Sequence, residues 1–289
     1  MPRPLKIDFY KTVDMDGNDF NLHQLILDVS RLPVADRRVD YGDSFLLLYN
    51  VRLHGRLVLG EIVKARMTDL PDKVSRTTGV PADLGLAADE GIGRRAHFLY
   101  DGERHALLLQ RDKEVRYPAF RESVCTPIHG DFSLSLIFKR DALDRLDRMR
   151  VVRKLSFKVA RPQDATAFRE IDASASHAID ILNEHGGHFI DINISVGRGR
   201  DSSLTRQSVL RVVRGLFGRR GEEVRRVVVS GREGDHDATE IIDLFEDRLV
   251  YEANAGLRGR RLDREMCEGI LLEAHREHAN YLGAYRHPE

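Results

Sequence analysis

Tryptophan is absent from the 289 residues, cysteine occurs only twice, and no apolar run approaches the length of a membrane span. Each shortage narrows the possibilities. Cys125 and Cys267 stand far apart, in no pairing or metal spacing, so both are read as unlinked thiols of a reducing compartment. The longest apolar stretches, such as Phe45-Leu46-Leu47-Leu48-Tyr49, have the length of strands, whereas a spanning helix needs about 20 apolar residues. The opening MPRPLKIDFY holds no hydrophobic signal core, which predicts a cytoplasmic chain without direct membrane insertion. No internal repeat and no low-complexity tract interrupts the sequence. Hydrophobic residues at 42% and charged residues at 32% describe a foldable chain that buries real cores, as one large domain or two modest ones.

The pattern along the chain predicts an α+β fold, with a mixed, mostly antiparallel sheet in the N-terminal domain and an α/β second unit. Leu5–Val13 alternates as a strand. Asn21 fits an N-cap for a helix over Leu22–Leu32, which Pro33 stops. Two β-rich runs meet at His54-Gly55, and two more flank Asp101-Gly102, a pair suited to the positive φ values of a type I′ turn. Pro118–Ile128 reads as helical, Asp131–Arg140 as a strand, and DALDRLDRM as a short charged helix. From Val151 the order is strand, helix (from Asp164 to about Glu184), strand (Phe189–Val196), Gly/Arg/Ser loop, helix and strand. A hairpin turning near Glu246-Asp247 follows. The closing helix is expected to line one face with Leu262, Met266, Ile270, Ala274 and Tyr281. Three segments result: 1–150, 151–235 and 236–289. The last is left free to pack back on the first, which would make the middle an insertion.

Charge is distributed unevenly. The whole chain balances 46 basic against 46 acidic residues, yet Ile194–Arg232 holds ten arginines, no lysine and three acids. Its formal charge is +7, and the remainder carries −7. Such a concentration favours a polyanionic partner. On a helical wheel Val209, Val212, Val213 and Leu216 share one side, while Arg206, Arg211 and Arg214 span an arc of about 140° beside it. Arg198 and Arg200 precede this helix, and Arg219 and Arg220 follow it. Seven guanidinium groups in that arrangement suit the phosphates of double-stranded DNA, bound with strong salt dependence and little sequence preference. Phe217 is the one aromatic in the stretch, so single-strand stacking is disfavoured.

Catalytic patterns are lacking. Gly197-Arg198-Gly199 lies between a strand and a helix but meets neither the dinucleotide nor the P-loop spacing. Asp191 and Asn193 point to one face of a strand, and Asp235-His236-Asp237 reads as a loop. Cys267 falls near a core face, and His275 and His278 read as solvated charges beside Glu273 and Glu277. No catalytic residue, metal ligand or cofactor is therefore expected.

Several segments together carry a family likeness. The first strand carries Phe9-Tyr10, and FLLLYNVRL forms a long β-run. EGIGRRAHFLYDGERHALLLQRD makes a central hairpin, and FKVARP and HFIDINISVGRGR precede the basic run. In these the chain resembles the RexA-type phage-exclusion proteins of temperate phages and prophages. The resemblance implies a cytosolic homodimer that binds double-stranded DNA without sequence preference and acts with a membrane-protein partner. It maps DNA contacts to Arg198, Arg200 and their neighbours, and dimerisation to Val151–Arg232. The chain departs from that family in its almost exclusive use of arginine and in its Gly-rich loop. Two other classes stay open: a metal-dependent nuclease or nucleotide-processing enzyme using Asp191 and Asp235, and a protein–protein interaction module.

Overall fold

A computed structural model describes residues 3–14, 16–160, 181, 184, 189–196, 203–217, 223–234, 238–244, 246–259 and 261–285. In chain order these form β1 (Arg3–Val13), α1 (His23–Arg31), α2 (Val34–Arg37), β2 (Arg38–Tyr41), β3 (Ser44–His54), β4 (Leu57–Arg66) and the small pair β5 (Lys73–Val74) and β6 (Pro81–Ala82). Next come β7 (Ile92–Asp101), β8 (Ala106–Gln110), α3 (Tyr117–Cys125), β9 (Ser133–Leu136), α4 (Arg140–Arg148) and β10 (Val151–Ala160). The remainder are β11 (Phe189–Ser195), α5 (Arg206–Phe217), β12 (Glu223–Arg232), β13 (Glu240–Asp243), β14 (Val250–Ala255), the short β15 (Leu257–Arg258) and β16 (Arg261–Leu262), and α6 (Arg264–Ala284). Strand at 43% against helix at 27%, mostly antiparallel, makes the class α+β, as the sequence pattern predicts.

Contacts divide the chain into two units. The first comprises Met1–Phe132 and Tyr251–Gly283. Its sheet follows the order β14-β1-β8-β7-β4-β3-β2. Central strands of this sheet are apolar on both faces, so both faces must be covered. Phe98 and Tyr100 point to one side of β7, where α1 and α3 pack. The Phe98 ring meets Phe120 edge-on at 5.1 Å, and the Tyr100 hydroxyl accepts the Leu22 N–H at 2.8 Å. Burial pushes the Tyr100 phenol up to about 12. The alternate residues of β7 face α6, which buries Cys267, Ile270, Leu271 and Ala274 and sets His278 against Phe9, the rings tilted and 5.0 Å apart. Gly60 pairs with Phe98 across β4 and β7, and a Cβ on it would stand 2.6 Å from the Phe98 ring. Only glycine fits that contact without displacing the ring.

The second unit comprises Ser133–Val250 and Ala284–Glu289. It holds an antiparallel four-stranded sheet in the order β11-β10-β12-β13. One face is apolar, with Leu155, Phe157, Ile190, Val227, Val229 and Ile242 buried. On that side α5 meets β10 and β12, and buries Val209, Leu210, Val212 and Val213. The helix expected over 164–184 lies outside the described residues, apart from Ile181 and Glu184.

Four local expectations are corrected. The Asp101-Gly102 turn is a four-residue loop, with Asp101 paired to Ala106 and the positive φ carried by His105 rather than Gly102. The cause is the Asp101 carboxylate, which accepts the N–H groups of Glu103 and Arg104 at 2.9 and 3.3 Å and so builds a wider turn. The runs around Glu246-Asp247 do not pair with each other. Instead β13 adds to β12 and β14 adds to β1, since each gains a ladder from a larger sheet than an isolated hairpin offers. On α6 the buried row runs through Cys267 and Leu271, and Met266 is exposed, its sulfur accepting the Gly256 N–H at 2.6 Å. The strand expected over Asp131–Arg140 is reduced to the four buried residues of β9.

Candidate functional site

Strand alternation places polar residues of the second unit together on the sheet face opposite α5. The registers arrange them in three rows. Asp191, Lys158 and Arg226 form one, Asn193, Ser156, Val228 and Asp243 the next, and Ser195, Lys154, Ser230 and Ile241 the third. This face forms a cleft of about 310 Å³. Within it the Ser156 hydroxyl donates to Asn193 Oδ1 at 2.6 Å, and Asn193 Nδ2 donates to Asp191 Oδ1 at 3.3 Å. The Arg226 guanidinium is held by Asp243 at 3.2 Å. Cations thus flank a row of ordered hydroxyl, amide and carboxylate groups, a composition that suits phosphate together with sugar hydroxyls.

The residues singled out for DNA fall unevenly on the structure. Arg198, Arg200, Arg219 and Arg220 lie outside the described residues. Arg206, Arg211 and Arg214 are carried by α5, and Arg206, its first residue, is exposed. Side chains of Arg211 and Arg214 are not among those described. Asp235, His236 and Asp237 lie outside as well. Asp191 and Asn193 share one exposed face, as alternation requires. Lys154, Ser156, Lys158 and Arg226 went unnoticed in the sequence. Their signal is the period-2 alternation of KLSFK and RVVVS, which becomes a site only once register is known.

Charge in the first unit does different work. Asp101 is 1% exposed and accepts from His275 Nε2 at 2.7 Å and from Arg104 at 2.8 Å. Burial opposes its charge, but hydrogen bonds from His275, Arg104 and the Glu103 N–H outweigh that and hold the carboxyl well below its usual range. His275 is thus an internal partner of Asp101, not the solvated charge expected. His278 likewise packs between Phe9 and Tyr251. Glu61, equally buried, accepts from Asn50 at 2.8 Å and faces Arg95 at 3.3 Å. Arg264 joins Glu61 to Glu268, at 3.7 and 3.1 Å, and Glu268 also pairs with Arg52. These groups are mutually satisfied, as buried charges must be. The Cys267 thiol is pushed up to about 11, first by burial and then by the nearby charges of Asp263, Glu61 and Glu268, so it stays a protonated core thiol. Among the described residues no group of three or more His, Cys, Asp and Glu is placed to hold a metal ion, and no helix is long and apolar enough to cross a membrane.

Fold and site together define a two-unit α+β protein whose second unit exposes a polar, cation-flanked sheet face. The chain belongs to a family of unknown function (DUF6731), whose model matches residues 7–260. No curated protein matches it.

Proposed function

We propose that the chain binds double-stranded DNA through its phosphates, without sequence preference, as a cytoplasmic homodimer in phage exclusion or antiphage defence. The observation that carries this is the packing of α5. Its valines are buried on the sheet while Arg206 is exposed, inside a segment of formal charge +7. A helix so anchored carries Arg206, Arg211 and Arg214 on one packed backbone, and arginine forks match phosphate oxygens. The resemblance to RexA-type proteins supplies the biological setting, the dimer and a membrane-protein partner.

Gel-shift titration on duplex DNA at about 50 and about 200 mM salt tests it, because each phosphate contact adds about 0.9 to the log–log salt slope. Binding should weaken steeply with salt, and Arg206→Glu/Arg211→Glu/Arg214→Glu should lower both affinity and slope. Undetectable binding at low salt would overturn the proposal. A monomeric mass by light scattering would remove the dimer from it.

A further inference from the structure

We propose that the polar sheet face of the second unit, opposite α5, binds a nucleoside phosphate. The site needs no residue of α5 and goes beyond duplex binding. At about 310 Å³ the cleft lies at the small end of the range for small-molecule sites, roughly 300–1,000 Å³. It takes one compact ligand, not a duplex.

Each part of the face selects a part of that ligand. The Ser156–Asn193–Asp191 chain fixes the direction of every hydrogen bond in it. What remains is acceptor capacity on Ser156 Oγ and on the second Asp191 oxygen, with one further N–H of Asn193 as donor. Alternating acceptors and donors on one sheet face, across β10 and β11, match hydroxyls that both give and accept, as paired sugar hydroxyls do. Lys158 and Arg226 stand directly opposite each other in register, beside this chain, and Asp243 orients the guanidinium. Two adjacent cations, one a fork, suit a phosphate.

Val228 in the middle row and Ile241 at the other end offer an aliphatic surface. Ile241 is 65% exposed, and the flat side of a base would cover it. Lys154 and Ser230, paired in register there, can donate to acceptors on the ring edge. Lys154 stands about 14 Å along β10 from Lys158, given about 3.4 Å per residue, so phosphate and base occupy opposite ends.

Isothermal titration calorimetry of the full chain with ADP, GDP, CDP and UDP tests the site, with adenosine and inorganic phosphate as fragments. At least one nucleoside diphosphate should bind, with either fragment at least about tenfold weaker, since each meets half of the groups. Asn193→Leu should cost about tenfold or more, the equivalent of a lost hydrogen-bonded pair, and Ser156→Ala a smaller factor. Arg226→Ala should weaken the diphosphate far more than the nucleoside. Arg206→Glu should leave nucleotide affinity unchanged. Absence of binding by all four nucleotides overturns the proposal, as does unchanged affinity in Asn193→Leu and Arg226→Ala. A single-stranded oligonucleotide held by these residues without nucleotide binding overturns it too. Gel shifts on the same samples separate the two proposals. Nucleotide binding without duplex binding removes only the duplex reading, and the reverse removes only this one.

Discussion

The two units treat their sheets in opposite ways. In the first, helices cover both faces, with α1 and α3 over Phe98 and Tyr100 and α6 over the alternate side. Its acidic side chains Asp101, Glu61 and Glu268 are buried and consumed by partners within the unit. In the second, among the described residues, α5 covers one face, and the other presents Lys154, Ser156, Asn193 and Arg226 around a cleft. Charged side chains are internal fasteners in one place and surface chemistry in the other. Burial decides which, because a desolvated charge must be satisfied inside the fold while an exposed one stays open to a ligand.

That contrast breaks most readily at Asp101. Asp101→Asn removes the charge that His275 and Arg104 share, and should cost about 3 kcal/mol, the scale for breaking a buried ionic network. Urea denaturation reads it; a loss near zero would show that burial does not make this carboxylate a fastener. Gly60→Ala should cost about 2 kcal/mol, because its Cβ would press on the Phe98 ring. On the open face, Lys154→Ala and Asn193→Leu should each change stability by no more than about 0.5 kcal/mol, as surface substitutions do. A large loss there would make that face structural.

Acid offers a finer test. The folded-state pKa of Asp101 lies below its ordinary value of 3.8, so its contribution is complete above that value and is lost as pH falls through the lowered folded value. The stability gap between wild type and Asp101→Asn should therefore hold constant from neutral pH down to about 5, and close only in stronger acid. A gap that shrinks between pH 7 and 5 would assign the effect to another group.

Much of this was legible in local pattern. The alternation of Leu5–Val13, the Pro33 stop, the α5 wheel and the Val151–Ala160 strand all have period and punctuation that survive without tertiary information. The Asp101–His275 pair was not, since its members are 174 residues apart and neither sits in a motif. Nor was the cleft. KLSFK and IDINI each read as an ordinary half-buried strand, and only the register that sets Ser156 beside Asn193 turns them into a surface. The parting of β13 and β14 escaped for a related reason. Local sequence marks strands and the turn between them, whereas the choice of partner strand depends on which sheet has an edge to offer.

Amide hydrogen exchange with and without duplex DNA, and with the tightest-binding nucleoside diphosphate, shows whether the second unit meets the ligand while the first is scaffold. Exchange should slow in peptides from β10, β11, α5 and β12 and stay unchanged across β1, β4, β7 and α6. Protection confined to the first unit, or no protection in either, would contradict that division of roles.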